Sequence, residues 1–335
     1  MAATYIPPHY RASLNLYETQ AAISLIKADF EENFARALNL RRVSAPLFVD
    51  PNSGINDDLN GTERAVSFDI KSSGKTAAVV HSLAKWKRLA LYRYAFHPGK
   101  GLYTDMNAIR RDEETDNIHS IYVDQWDWEK VITPETRNLD YLKAVVRAIV
   151  TAIIRTNEAL EVRYPQNRCR LEQEVKFITA EELLQLYPAL SPKEREQKIV
   201  KEYKTVFIIG IGAPLSNGLP HDGRAPDYDD WQLNGDLLMY HEPLDLALEI
   251  SSMGIRVTPQ SLQRQLAAAN CSERLQLPFH KQLADGLLPL TLGGGIGQSR
   301  LCMLLLKKAH IGEVQCSLWD QATLDACAAA HVQLF

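Results

Sequence analysis

Three stretches of this sequence carry side chains that could do chemistry. The first is His119-Ser-Ile-Tyr-Val-Asp-Gln-Trp-Asp-Trp-Glu129. Successive strand residues point to opposite faces, so Ile121, Val123, Gln125, Asp127 and Glu129 share one side and Tyr122, Asp124, Trp126 and Trp128 the other. The aromatic side can pack under helices. The other side sets three polar groups in a row, either solvated or turned toward a ligand. Arg110 ends the preceding strand, where a planar guanidinium can present its fork to a phosphate or carboxylate.

The second stretch, Leu292-Gly-Gly-Gly-Ile-Gly-Gln-Ser-Arg-Leu301, reads as a strand, a glycine-rich turn and an apolar helix. Glycines let backbone approach a ligand, and helix N-termini favour anions. Close packing of a helix on a strand would use the same residues. The dinucleotide fingerprint fails, because Gln298 stands where its third glycine belongs, and no phosphate-loop Gly-Lys-Ser/Thr is present. The third stretch is Leu246-Ala-Leu-Glu-Ile-Ser-Ser-Met-Gly-Ile-Arg256. Glu249 sits there on an otherwise apolar strand, and a buried carboxylate needs a pairing cation or a metal.

These residues need a frame. Ile23, Ile26, Phe30, Phe34 and Leu38 recur at helical spacing, predicting a helix from about Asn15 to Leu38. A strand-like run over 41–48 is broken by Pro46, which places it at an edge or an interface. Short strands are expected at 65–70 and 77–80, then a helix over 83–94. Strands over 102–110 and 119–129 flank a polar hairpin loop at 111–117. Helices follow at 139–163, 181–187 and 193–201, with a buried strand at 205–209. A loop rich in Gly, Pro, Asn and Asp fills 210–231. Strands at 236–240 and 244–250, helices at 261–269 and 274–285, a last strand at 288–292 and a helix from Gly297 complete the chain. Hairpin-paired strands with inserted helices predict an α+β fold, an antiparallel sheet flanked by helices. No linker-like stretch interrupts residues 1–335, which are read as one domain.

Composition narrows the partners. The chain has 335 residues, is 46% hydrophobic and 23% charged, and carries a formal net charge of −4. That balance offers no global field for nucleic acid. No apolar run approaches a membrane span, and the first residues lack a signal-peptide layout. The five cysteines show no Cys-x-x-Cys spacing, which argues for structural thiols in a reducing compartment, the cytoplasm.

In this order, the stretches resemble the class II aminoacyl-tRNA synthetase core, and specifically the family of ammonia-dependent asparagine synthetases built on it. The predicted helix to Leu38 with the Pro46 strand resembles the first class II motif, 108–113 the second and 293–300 the third. The 248–256 stretch is similar to the magnesium-binding segment of the aspartate-type enzymes. Four longer strings carry the family resemblance: 81–88 (His-Ser-Leu-Ala-Lys-Trp-Lys-Arg), 123–129, 224–231 (Arg-Ala-Pro-Asp-Tyr-Asp-Asp-Trp) and 233–236 (Leu-Asn-Gly-Asp).

The resemblance implies ATP-driven amidation of aspartate by ammonia through a β-aspartyl-adenylate. It implies that Arg110 clamps the α-phosphate and Arg300 holds the adenine and outer phosphates. Ser120, Val123, Asp236, Ile250, Ser252 and Gly295 would line the nucleotide, and Asp236 and Glu249 would hold Mg²⁺. Ser82, Lys87, Gln125, Asp127, Asp229, Ser251 and Arg256 would bind aspartate. Asp127 or a solvent route would take the proton from ammonia. A homodimer is expected through the Asn15–Phe48 region.

Two departures from the family pattern stand out. An expected Gly-Asp-Gly reads Asn52-Ser53-Gly54, leaving Asp50, Asp57 or Asp58 to meet the substrate ammonium. The loop between Trp231 and Leu233 is nearly deleted. The alternatives are a non-catalytic sensor of aspartate or ATP, and an aminoacyl-tRNA synthetase-like enzyme. The retained Arg110 and Arg300 disfavour the first. Too little chain flanks the predicted elements for a tRNA-binding appendage, which disfavours the second. Met1-Ala2 offers no N-terminal cysteine nucleophile of the glutaminase kind, so glutamine is expected to fail as nitrogen donor.

Overall fold

The computed structural model describes residues 4–57 and 63–335, so Asp58 lies outside the described residues. The chain opens with α1 (Leu16–Leu38), then β1 (Leu40–Arg42), β2 (Phe48–Val49), β3 (Ser67–Ile70), β4 (Lys75–Val79) and α2 (Ala84–Arg93). The central hairpin is β5 (Gly101–Ile109) and β6 (Tyr122–Val131), followed by α3 (Leu139–Arg163). Next come β7 (Lys176–Thr179), α4 (Ala180–Leu186), α5 (Pro192–Tyr203) and β8 (Thr205–Ile209). The second hairpin is β9 (Asp229–His241) and β10 (Leu246–Arg256). The chain ends with α6 (Pro259–Ala268), α7 (Pro278–Ala284), β11 (Thr291–Gly297), α8 (Gln298–Leu305) and α9 (Gln321–Ala329).

The main sheet has eight strands in the order β1-β5-β6-β11-β10-β9-β8-β7. Its interior pairings are antiparallel, as expected, while the edge pairs β1–β5 and β7–β8 are parallel. Strands β2, β4 and β3 form a separate small sheet. The 41–48 run is therefore two strands in two sheets, divided at Pro46, which lies in neither.

Helix α1 starts at a reciprocal cap. The Asn15 side chain accepts from the Glu18 N–H, and the Glu18 carboxylate accepts from the Asn15 N–H. Its apolar stripe, Ile26, Phe30, Phe34 and Leu38, is buried. Phe30 packs on Trp126 at 4.7 Å between ring centroids and Phe34 on Trp128 at 6.0 Å. The aromatic side of β6 thus seals one face of the sheet beneath α1, α3 and α8. The opposite side of β6 is left for chemistry.

Three expectations change here. The glycines of 293–297 are not a turn. They form β11 itself, between β6 and β10. The strand ends at Gly297 because Gln298 begins α8. Where the family pattern has a longer loop near Trp231, this chain has uninterrupted strand, since β9 runs through Trp231, Gln232 and Leu233. Strand β7 and helix α9 are additional elements. β7 is too short to show a period, and α9 is rich in small residues that give little contrast between faces.

Candidate active site

One cavity of about 450 Å³ opens on the face of the sheet away from α1 and α3. It gathers Ser82, Lys87, Arg110, Ser120, Val123, Gln125, Asp127, Asp229, Asp236, Glu249, Ile250, Ser252, Arg256, Gly295 and Arg300. All but one of the expected site residues meet there, from segments more than 200 positions apart.

The exception is Ser251. It is buried, and its hydroxyl donates to the Gly295 carbonyl at 2.9 Å, so it braces β11 and does not line the cavity. A β-bulge explains this. Glu249 pairs with Leu238 and Ser252 with Asp236, and the register shifts between Glu249 and Ser251. The extra residue resets the alternation, so Glu249, Ser252 and Asp236 share a face and Ser251 takes the other. Glu249 is also not the buried strand carboxylate expected. Its side chain is 37% exposed, toward the cavity.

The inner end is a lattice of paired charges. Lys87 donates to Asp127 at 2.5 Å and to the Gly294 carbonyl at 2.8 Å. Burial lowers the Lys87 pKa, opposed by Asp127. Arg256 donates through Nε to both oxygens of Glu129 at 3.0 Å, through Nη2 to Glu129 at 2.7 Å, and through Nη1 to Asp229. Burial alone would lower the Arg256 pKa, but Glu129 and Asp229 raise it, so the guanidinium stays protonated. Those bonds use three of its five N–H groups, leaving two for a ligand carboxylate. Asp57, buried in the cavity wall, accepts from the Ser82 hydroxyl at 3.1 Å. Ser53 stays outside, its hydroxyl bound to the Asp50 carbonyl at 2.6 Å, and Asp50 caps the same short turn.

The glycines make room for this lattice. A Cβ on Gly293 would overlap the Glu129 carboxylate, and one on Gly295 would overlap the Gln125 amide. The long polar side chains of β6 lie across β11 because nothing stands in their way. We expect Gly295→Ala to raise the KM for the ligand that Gln125 meets about tenfold, with a change of a few degrees in Tm. A wild-type KM would show that Gln125 is not held by this gap.

The outer end differs in its pairing. Arg110 reaches Glu113 only at 3.9 Å, and its Nε is buried with no hydrogen-bond partner among the described residues. Arg300 reaches Glu249 only at 4.0 Å, donating otherwise to the Ile118 and Glu249 carbonyls at 3.4 and 3.2 Å. Two loosely paired guanidiniums thus face one cavity, whereas Lys87, Arg224 and Arg256 are tightly engaged. Between them stand Asp236 and Glu249. Burial, with a push from Glu249, raises the Asp236 pKa to about 6 against the pull of Arg224. The Glu249 pKa is lowered, because Arg300, Lys193 and Arg224 outweigh burial. Among the described residues no three His, Cys, Asp or Glu side chains converge as a metal cage. Two carboxylates fit magnesium, which takes few protein ligands and shares the rest with phosphate oxygens and water.

Among the cavity residues given no role from sequence are Lys193, Arg224 and Tyr228. Arg224 donates to Asp236 at 2.5 Å and to the Ser252 hydroxyl. It and Tyr228 lie inside the 224–231 string, so the signal was present without a role attached. Lys193 opens an amphipathic helix and carried no signal of a site.

A family model described as aspartate-ammonia ligase matches residues 17–331. The chain is 57% identical over 331 residues to a curated relative from Lactobacillus johnsonii, covering 98% of each, and that relative is named aspartate–ammonia ligase. A relative of the same name from Clostridium perfringens is 56% identical over 335 residues, covering 100% of each chain. Among solved structures, an asparaginyl-tRNA synthetase from Pyrococcus horikoshii complexed with asparaginyl-adenylate superposes with a TM-score of 0.65 at 16% identity, covering 89% of this chain and 68% of that one. The Entamoeba histolytica asparaginyl-tRNA synthetase complex with asparaginyl-adenylate gives 0.63 at 15% identity, covering 90% of this chain and 66% of that one. These likenesses show the class II synthetase fold, of which this chain spans about two thirds of the synthetases' length.

Proposed function

The chain belongs to the aspartate–ammonia ligase family, and from that premise we propose that its cavity converts L-aspartate, ATP and ammonia to L-asparagine, AMP and diphosphate. The observation that carries this reading is the division of the cavity. A buried lattice of paired charges adjoins two loosely paired arginines with two carboxylates between them. The first suits a small zwitterion with two carboxylates, the second a polyphosphate.

A carboxylate does not react usefully with ammonia, because its leaving group would be oxide. In the proposed first step a β-carboxylate oxygen of aspartate attacks the α-phosphorus, the bond to the bridging oxygen breaks, and diphosphate leaves. Ammonia nitrogen then bonds to the β-carbonyl carbon, the acyl–oxygen bond breaks, and AMP leaves. The proton shed by nitrogen goes to Asp127 or to solvent. Such a displacement is catalysed mainly by positioning and charge neutralisation.

In this reading Arg110 holds the α-phosphate and Arg300 the adenine side and outer phosphates. Ser120, Val123, Ile250, Ser252 and Gly295 line the nucleotide. Lys87 and the two unused N–H groups of Arg256 take the substrate carboxylates, with Ser82, Gln125 and Asp229 around them. Asp57 takes the ammonium, a role that neither Ser53 nor Asp50 is placed to fill. Magnesium, when bound, supplies neutralisation of phosphate charge, and Asp236 and Glu249 would hold it. We read residues 1–335 as one catalytic domain. Exposed Leu47 and Phe48 beside the Phe68 ring support a homodimer through the first-motif region. The unpaired thiols of Cys169, Cys302, Cys316 and Cys327 support a reducing compartment, the cytoplasm.

The deciding experiment supplies aspartate, ATP, Mg²⁺ and ammonia and identifies products. We expect asparagine, AMP and diphosphate in equal amounts, and no asparagine when glutamine replaces ammonia. Release of ADP and phosphate would overturn the adenylate route.

A further inference from the structure

We infer that Lys193, from the first turn of α5, is a ligand for the β- and γ-phosphates of ATP and for the diphosphate that leaves. This deepens the ATP reading above and rests on it. The residue lies far from the three class II stretches, in the segment between the second and the third. The fold nonetheless brings it to the same cavity as Arg224, Asp236 and Glu249.

Three observations point to a phosphate. The first is position. Helix α5 packs over β9 and β10, while Arg110 stands at the end of β5, three strands from β10 in the sheet order. At strand spacing that is roughly 14 Å. Two long cationic side chains reaching in from opposite walls would bracket a chain of phosphates lying between them. The second is electrostatic company. Lys193 acts on Glu249, one of the two carboxylates placed beside the phosphates, and Glu249 acts on it in return. A first-turn position on a helix also favours an anion there.

The third is that Lys193 is held for release. Its ammonium sits 3.1 Å from Asp222 and 3.1 Å from Glu196. Glu196 is buried and is further held by His221 Nε2 at 3.1 Å, so it anchors the lysine near the wall. Asp222 is 46% exposed and Lys193 69% exposed, and pairs between exposed groups contribute little. Exchanging Asp222 for a phosphate oxygen therefore costs little and gains a stronger charge-assisted bond.

The test compares a ligand made of the outer phosphates with one that lacks them. Aspartate-dependent exchange of diphosphate into ATP is measured for wild type, Lys193→Ala and Lys193→Arg, with AMP inhibition measured alongside. Lys193→Ala is expected to raise the KM for diphosphate about tenfold and leave the AMP inhibition constant within twofold, because AMP lacks the outer phosphates. Lys193→Arg is expected to recover most of the loss. Unchanged diphosphate KM in Lys193→Ala, or an equal loss for AMP, would overturn the inference. Wild type without any exchange would instead overturn the ATP reading on which it stands. The exposed lysine is not part of the core, so Tm of the Ala variant should match wild type.

Discussion

Arg110→Ala is expected to abolish aspartate-dependent exchange of diphosphate into ATP, with kcat/KM for the whole reaction falling about 10³-fold, on the order of 4 kcal/mol. The size follows from how the residue is held. Arg110 N–H donates to the Ile121 carbonyl at 2.8 Å, which pins the backbone at the end of β5. Among the described residues its guanidinium is otherwise held only by Glu113 at 3.9 Å. A cation kept near a weak partner is pre-positioned for a stronger one, and in the proposed reading the displacement at the α-phosphorus builds charge beside it. Because the Arg110 side chain is 27% exposed and its partner Glu113 26%, its loss strands no fully buried charge and Tm should change little. Arg110→Lys is expected to recover only part of the rate, since one point charge replaces a planar fork. Exchange within tenfold of wild type in Arg110→Ala would mean the phosphate clamp lies elsewhere in the cavity.

How much of this site was legible beforehand depended on what kind of information each residue carried. Gln125 and Asp127 could be read from strand period alone, because the tryptophans on the opposite face of β6 announced which side was core. Asp229 and Asp236 could be tied to function only through longer strings, since nothing local distinguishes an aspartate that lines a cavity from one in a loop. Ser251 stands outside the cavity lining because a bulge reverses the facing of one residue without altering composition. The glycine run misled in the same way. Four glycines suggest a turn when local propensity is read, and a strand becomes visible only when β6 is known to send Gln125 and Glu129 across it. Lys193 was invisible for a plainer reason. It reaches the cavity through tertiary packing of α5 on β9 and β10, which no period in the sequence encodes.

The other large effect is expected at Arg256, and it separates folding from catalysis. Glu129 is fully buried and Asp229 nearly so, and both face this one guanidinium. Arg256→Met removes the cation and leaves two buried carboxylates beside each other. Breaking a buried pair in this way costs about 4 kcal/mol. For a chain of this length that corresponds to a fall in Tm of roughly 6 °C. Lys87 and Arg88 lie close enough to respond to Glu129, so the loss should not reach complete unfolding. Asparagine formation should become undetectable, because two of the N–H groups proposed for the substrate disappear with the side chain. The double variant Glu129→Leu, Arg256→Met replaces the Glu129–Arg256 pair by apolar groups, and buried pairs exchanged in this manner are often neutral in stability. It is expected to regain most of the lost Tm while remaining inactive. If the double variant regained activity together with Tm, Arg256 would serve only to neutralise Glu129, and the substrate carboxylate would have to be met by Lys87 alone. If it regained neither, the Arg256–Asp229 contact, absent from both variants and replaced among the described residues only by Arg224 at 3.7 Å, would be the one that holds this end of the cavity together.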